Sequence, residues 1–210
     1  MNIHHIKDKL GDAKPTPIKN SDFHPAAVNI VLLDIRSSLS IVFTRRSLTV
    51  ATHKGQFSFP GGQRDELDKT LWDTAARETE EEIGLNRDKM ELIGRLDDFL
   101  TISDYRVRPF VSYYCDTELL RYKLQKSELD YVVEVPLEHM LNENNLSLIP
   151  FPFEDHTIRI PHFWYYGNVI WGITGFILFH FLKKIGGLGG IDYFKETEVR
   201  ELVFKSGKPV

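Results

Sequence analysis

The sequence predicts one α/β domain in which helices lie on a mixed β-sheet. Two apolar, β-branched runs, Ala27–Leu33 and Leu39–Phe43, flank the polar break Arg36-Ser37-Ser38 and read as a hairpin. A helical stripe follows, with Leu71, Ala75, Thr79 and Ile83 recurring every four residues. More strand-like runs and a second, largely apolar helix over Trp171–Lys184 complete the α/β pattern. At 210 residues the chain fits one domain with a substantial core. The expected division is an arm or helix over residues 1–25, the domain over 26–185 and a tail over 186–210.

Each element has a local reason. Residues up to about His24 mix charge, Gly11, Pro15 and Pro17, which predicts a short helix or arm and then an extended lead-in. After the hairpin, Gln56-Phe57-Ser58-Phe59 alternates polar and aromatic residues as a half-buried strand, stopped by Pro60-Gly61-Gly62. The helix at about 70–83 has Thr70 and Asp73 spaced as a capping box, with Asp68 as the other candidate cap and Gly84 as the stop. Glu91–Leu100, Arg106–Cys115, Leu129–Val135 and Thr157–Tyr165 read as strands, and Pro136–Leu141 as a helical turn. The glycines after Ile185 predict a loose tail, and there is no internal repeat.

Composition narrows the function classes. The formal net charge is −4, so no global basic field marks the chain for nucleic acid. The single Cys115 cannot form an internal disulfide, which fits a reducing compartment, and its apolar run predicts a buried small hydrophobe. The N-terminus lacks the apolar core of a signal peptide. The longest apolar stretch, Val169–Leu182, is interrupted and shorter than the ~20 residues needed to span a bilayer. A cytoplasmic location, with no membrane partner, is the expectation.

Chemistry concentrates at the end of the first long helix. Glu78, Glu80, Glu81 and Glu82 crowd together, and Glu78, Glu81 and Glu82 share a face. Like charges at that spacing repel, and the last helical turn favours cations over anions. A solvated acidic face is the plain alternative. A hard divalent cation reverses the repulsion by turning these carboxylates into ligands. Phe59-Pro60-Gly61-Gly62, a strand end turning through two glycines, can bring backbone amides and carbonyls to the same helix face. Arg77, four positions before Glu81, can fix that carboxylate.

These residues resemble a known family. Gly62 followed by Arg77-Glu78-Thr79-Glu80-Glu81-Glu82-Ile83-Gly84-Leu85 is similar to the Nudix box, G-x5-E-x7-R-E-U-x-E-E-x-G-U. Counted back from Arg77, the first box Glu falls on Lys69 and the Gly on Gln63, so the loop is one residue longer. Asp68 is the candidate substitute for the early acid, and Thr79 stands at an aliphatic position. Upstream, Thr44-Arg45-Arg46-Ser47 and His53–Gly62 resemble the additional signature of the coenzyme A pyrophosphatase branch. Glu134–Leu137 and Ile170–Gly175 look like further shared elements. One departure bears on substrate: Val50-Ala51 replaces a pair that ends in a cation in that branch.

The resemblance implies a Nudix-type α/β/α sandwich that hydrolyses the pyrophosphate bond of a nucleoside diphosphate derivative. Coenzyme A or its thioesters would give phosphopantetheine and adenosine bisphosphate. ADP-ribose, a dinucleotide or a nucleoside triphosphate is the alternative substrate, and a non-catalytic nucleotide-binding module is the alternative of another class. By resemblance, Glu78 and Glu82 bind Mg²⁺ or Mn²⁺ with a Gly61 or Gly62 carbonyl. Glu81 is a further ligand or helps deprotonate water, and Arg77 orients it. Arg46, His53, Gly61 and Gly62 are the candidate substrate contacts, with Lys54 and Arg64 behind them. Glu128, Asp130 and Glu154 lie where an extra base can arise. Trp171 and Phe163 are expected in the core, and His4 and His5 are expected to be arm residues, not ligands. The expected partner is a small-molecule nucleotide, with a homodimer as the candidate assembly.

Overall fold

A computed structural model describes residues 1–18, 22–49, 54–117, 120–153 and 156–188, and in it the hairpin forms the middle of the main sheet. Strands β1 (His24–Ile35) and β2 (Ser38–Arg46) pair antiparallel, Leu32 opposite Ile41. Between them Arg36 and Ser37 take φ of 50° and 67°. That left-handed pair matches a two-residue turn to the twist of its strands.

Strands β3 (Phe57–Ser58) and β4 (Gly61–Gln63) are short. The first pairs with β2 and the second with β1, Gly61 opposite Val28 and Gly62 opposite Ala27. The strand does stop before Pro60, as expected, and Gly61 and Gly62 open a new short strand against the centre of the sheet. Next come β5 (Met90–Arg95), β6 (Phe99–Leu100), β7 (Tyr105–Tyr114) and β8 (Leu129–Pro136). β7 runs parallel to β1, β5 and β6 are antiparallel to β7, and β8 is antiparallel to β2. The result is a mixed sheet of eight strands.

A second sheet holds β9 (Leu146–Phe153), β10 (His156–Tyr165) and β11 (Asn168–Ile170). Sequence reasoning passed over β9 because Pro150 and Pro152 lie in it. β9 is an edge strand, where a missing N–H costs no ladder bond if it faces outward. The stretch expected as one strand over Glu91–Leu100 is two, because Asp97 and Asp98 are buried and their carboxylates bind elsewhere. Asp97 accepts the Thr16 N–H, and Asp98 accepts the Ile18 N–H at 3.0 Å and two Arg108 N–H groups at 2.7 and 2.9 Å. The lead-in is thereby laced to the domain. Ahead of it, α1 (Ile3–Gly11) buries Ile6 and Leu10 and pairs Lys7 with Glu91 of β5.

The other helices are α2 (Leu71–Ile83), α3 (Leu137–Leu141) and α4 (Gly172–Lys184). Strand alternation sends Ala27, Val31 and Leu33 of β1 toward Ala75, Ala76 and Ile83 of α2. Ile30 and Leu32 face the opposite way, into a core shared with Ile177, Leu178 and Phe181 of α4. Each such Ile, Leu or Phe side chain taken from water contributes about 1.5–3 kcal/mol. The two faces make an α/β sandwich, with α2 packed on one face and α4 on the other. No helix among the described residues is long and apolar enough to cross a membrane.

Two expectations about single residues are corrected. Trp171 is not a core residue: it precedes Gly172, whose φ of 64° turns the chain, and it stays 42% exposed while stacking on His162. Phe163 is fully buried. Cys115 lies one residue past the end of β7 and is exposed.

Candidate active site

Helix α2 carries the acidic cluster, and both its ends are fixed by short-range chemistry. The Asp73 N–H donates to Thr70 Oγ1 at 3.2 Å while the Thr70 N–H donates to Asp73 Oδ2 at 2.7 Å. This reciprocal box satisfies two of the free amides at a helix start. At the other end Gly84, at φ 75°, donates its N–H to Glu80 O at 2.9 Å. The last carbonyls are taken by a crossing segment: Lys123 N–H reaches Ile83 O at 2.9 Å and Gln125 N–H reaches Glu82 O at 3.0 Å. That segment continues to Glu128, whose charge is felt by both Glu78 and Glu82.

The glutamates do not share one environment. Glu82 is 6% exposed and accepts the Gly61 N–H at 3.3 Å. Burial, then the neighbouring Glu78 charge, pushes its carboxyl up to about 8, against the opposing pull of the Gly61 amide. Burial also raises Glu78, partly offset by Arg77. Glu81 points outward and is held by Arg77 at 3.0 Å. Glu80 turns away to Arg87 at 2.6 Å. The structure therefore puts Glu78 and Glu82 on the side of the glycine strand and leaves Glu81 more exposed, joined to Glu78 through Arg77.

Arg77 is the hub of the outer shell. Its Nη1 group donates to Glu78 Oε1 at 2.9 Å and Glu81 Oε2 at 3.0 Å. Its Nε and Nη2 groups grip the two oxygens of Asp68 at 3.1 and 3.0 Å, and Nη2 also reaches Gln63 O at 3.3 Å. Asp68, read as a candidate cap, is instead the buried anchor of this guanidinium. The Arg77 hydrogen bonds hold its carboxyl down at about 2, and Asp68 in turn raises Arg77. Two parallel charge-assisted bonds to a planar guanidinium also fix its orientation.

The glycine strand completes the site. A Cβ on Gly62 would sit 2.6 Å from the Glu78 carboxylate carbon, so only glycine lets that carboxylate lie against the loop. A Cβ on Gly61 would strike the backbone of Ala27 and Val28 in β1.

Other predicted residues scatter. Arg46, at the end of β2, pulls Glu82 downward and has its Nε buried without an acceptor. Arg64 is taken up by the Asp68 and Lys69 carbonyls, at 2.8 and 3.3 Å, so it braces the loop. Lys54 is exposed, and Asp130 is paired with Arg45 at 3.3 Å. His53 and Glu154 lie outside the described residues. His5 is docked on Ile185 O at 2.9 Å. Sequence reasoning missed Asn29 and Ser112, both fully buried beneath α2. The signal was there in Asn29, a lone amide within an apolar run.

The residues fit a hard divalent cation. Glu82 and Glu78 offer carboxylate oxygens, the missing Cβ of Gly62 lets the Glu78 carboxylate lie against the glycine strand, and burial followed by the Glu78 charge disfavours the ionised form of Glu82. Among the described residues no three acidic, His or Cys side chains converge as a complete cage. A cation here would draw on the Glu78 and Glu82 carboxylates and on backbone or solvent oxygens, the donors a hard divalent cation prefers.

Comparison with known proteins identifies the family. A family model of the NUDIX domain matches residues 23–153. The chain is similar to NudL, a Nudix hydrolase of Photorhabdus laumondii, with 29% identity over 171 residues, 81% of this chain and 90% of that one. It is also similar to the chloroplastic Nudix hydrolase 22 of Arabidopsis thaliana, at 35% over 161 residues, 73% of this chain and 52% of that one. Among solved structures, the NUDIX domain of Shewanella oneidensis NrtR, complexed with ADP ribose, overlaps with a TM-score of 0.45 and 15% identity, over 67% of this chain and 87% of that one. With the domain matched over more than half its length, from the start of the central strand to the second sheet, the chain belongs to the Nudix hydrolase family.

Proposed function

We propose that the protein hydrolyses the pyrophosphate bond of coenzyme A or its thioesters, with Glu78 and Glu82 holding Mg²⁺ or Mn²⁺. The observation that carries the cation part is the burial of Glu82 against the Gly61 amide with Glu78 beside it. The substrate part rests on Thr44–Ser47 and His53–Gly62, the segments that resemble the coenzyme A pyrophosphatase branch.

The bound cation would polarise the diphosphate and lower the pKa of a water. Glu82 and Glu78 supply ligand oxygens, and the Gly62 carbonyl is the candidate backbone ligand. Arg77 takes Glu81 Oε2, leaving the other Glu81 oxygen to accept the proton of the attacking water. Glu128, brought alongside by the segment that caps α2, is the other candidate base. The unfilled N–H of Arg46 is the group for a phosphate oxygen. Asp68 does no chemistry; it keeps Arg77 aimed.

A second substrate reading, ADP-ribose or a related nucleoside diphosphate, is favoured by Val50-Ala51, which removes a cation suited to an extra phosphate. The test is a substrate panel with Mg²⁺ or Mn²⁺ and mass identification of products. Phosphopantetheine and adenosine bisphosphate from coenzyme A are expected. Turnover of ADP-ribose with no coenzyme A cleavage would refute the substrate assignment and leave the mechanism standing. Glu78→Gln and Glu82→Gln should each stay folded and lose hydrolysis.

A further inference from the structure

Beneath α2 lies a hydrogen-bonded chain in an otherwise apolar layer. Asn29 sits on the face of β1 that carries Ala27, Val31 and Leu33, and it is fully buried, as are Thr79 and Ser112. The Ser112 hydroxyl donates to Asn29 Oδ1 at 2.8 Å. Asn29 Nδ2 donates to Thr79 Oγ1 at 3.1 Å and lies 3.6 Å from the Met90 sulfur. The Thr79 hydroxyl donates to Ala75 O at 2.7 Å. Every donor has an acceptor, and the direction is fixed. Thr79 has committed its proton to Ala75, and a thioether only accepts, so the amide nitrogen must be the end facing both.

The same residue holds the other half of the site. The Asn29 backbone N–H donates to Pro60 O at 2.8 Å, immediately before Gly61. Gly61 N–H meets Glu82 Oε2, and Thr79 lies between Glu78 and Glu82 on α2. Asn29, Pro60-Gly61, Glu82 and Thr79 thus close a ring. An apolar contact at residue 79 fixes how deeply the helix sits but tolerates small slides and rotations. A directional bond at that point fixes its register against β1 and, through β1, against the glycine strand.

We propose that Asn29 is a positioning residue: gripping Pro60 through its backbone and Thr79 through its amide, it sets the spacing between the Gly61–Gly62 strand and the Glu78 and Glu82 carboxylates, and with it the cation affinity of the site. This rests on the reading that Glu78 and Glu82 hold the cation. Thr79 and Ser112 serve Asn29, the first as its contact on the helix and the second as the clamp on its orientation.

The test is Mn²⁺ titration of the full chain, followed by the spin-resonance signal of free Mn²⁺, at a temperature where near-ultraviolet circular dichroism shows each variant folded. Asn29→Leu and Thr79→Val should weaken Mn²⁺ about tenfold, while Thr79→Ser, which keeps the hydroxyl, should stay within about twofold of the parent. Hydrolysis by Thr79→Val should recover at saturating Mn²⁺, as a lost cation affinity requires. If Asn29→Leu does not fold, Thr79→Val decides. Glu82→Gln separates the two claims. If it binds Mn²⁺ as the parent does, the cation reading fails and takes this inference with it. If it loses Mn²⁺ while folded Thr79→Val and Asn29→Leu bind normally, the positioning role alone is overturned.

Discussion

At the scale of single residues, the account turns on how differently neighbouring carboxylates are treated. Glu82 is buried and Glu81 is exposed, yet both belong to one helical turn. Gly62 offers the sharpest single-residue test. The atom a new Cβ would meet is the end of the Glu78 side chain, which can swing aside. Gly62→Ala should therefore melt within a few degrees of the parent but lose most of its Mn²⁺ affinity and hydrolysis, measured by calorimetry and titration. Asp68 gives a pH prediction. Its carboxyl lies at about 2 in the folded chain against an ordinary 3.8, so the stability it contributes is complete above 3.8 and is lost as pH falls through 2. Asp68 is only 5% exposed and Arg77 19%, and the difference amounts to about 2 kcal/mol as an order of magnitude. Asp68→Asn should flatten the acid limb of the unfolding curve between those pH values. An acid limb as steep as the parent's would mean that the Arg77 grip does not stabilise the fold.

At the scale of elements, what was legible depended on whether the cause was local. The hairpin turn at Arg36-Ser37, the Thr70 box and the Gly84 stop come from short-range rules, and all three stand in the structure. The break at Leu96–Asp98 depends on Asp97 and Asp98 meeting residues 80 or so positions away, which no window on the sequence contains. The segment from Lys123 to Glu128 has no periodicity to betray it, and it acts by capping carbonyls of α2. Within the site, the acidic helix was readable from its unfavourable local charge and Asn29 as a lone amide in an apolar run, whereas its partners Thr79 and Ser112 become visible once β1, β7 and α2 are stacked. Gly84→Ala tests the helix end. It places a Cβ at φ 75° and 2.6 Å from that of Lys123, in a backbone-tethered segment that cannot yield as a free side chain does. A loss of about 1–2 kcal/mol is expected in urea unfolding, with hydrolysis reduced through the displaced Glu128. Unchanged stability would show that the crossing segment is not packed as described.

At the scale of the whole molecule, the sheet brings two remote pieces of sequence to one place. β1 supplies the floor, β4 lays Gly61 and Gly62 against it, and α2 covers the same face. The charged form of Glu82 is disfavoured by burial and then by the Glu78 charge beside it, so cation binding should stabilise the protein. At one hundred times the dissociation constant, Mn²⁺ should add about 2.7 kcal/mol, and Glu82→Gln should abolish that increment. The most direct test is the anomalous scattering of manganese in crystals soaked with the ion. The account predicts a peak bonded to Glu78 and Glu82 beside the Gly61–Gly62 strand, with Arg77 still on Glu81. A peak at other residues, or those two carboxylates turned into solvent with no ion beside them, would contradict it.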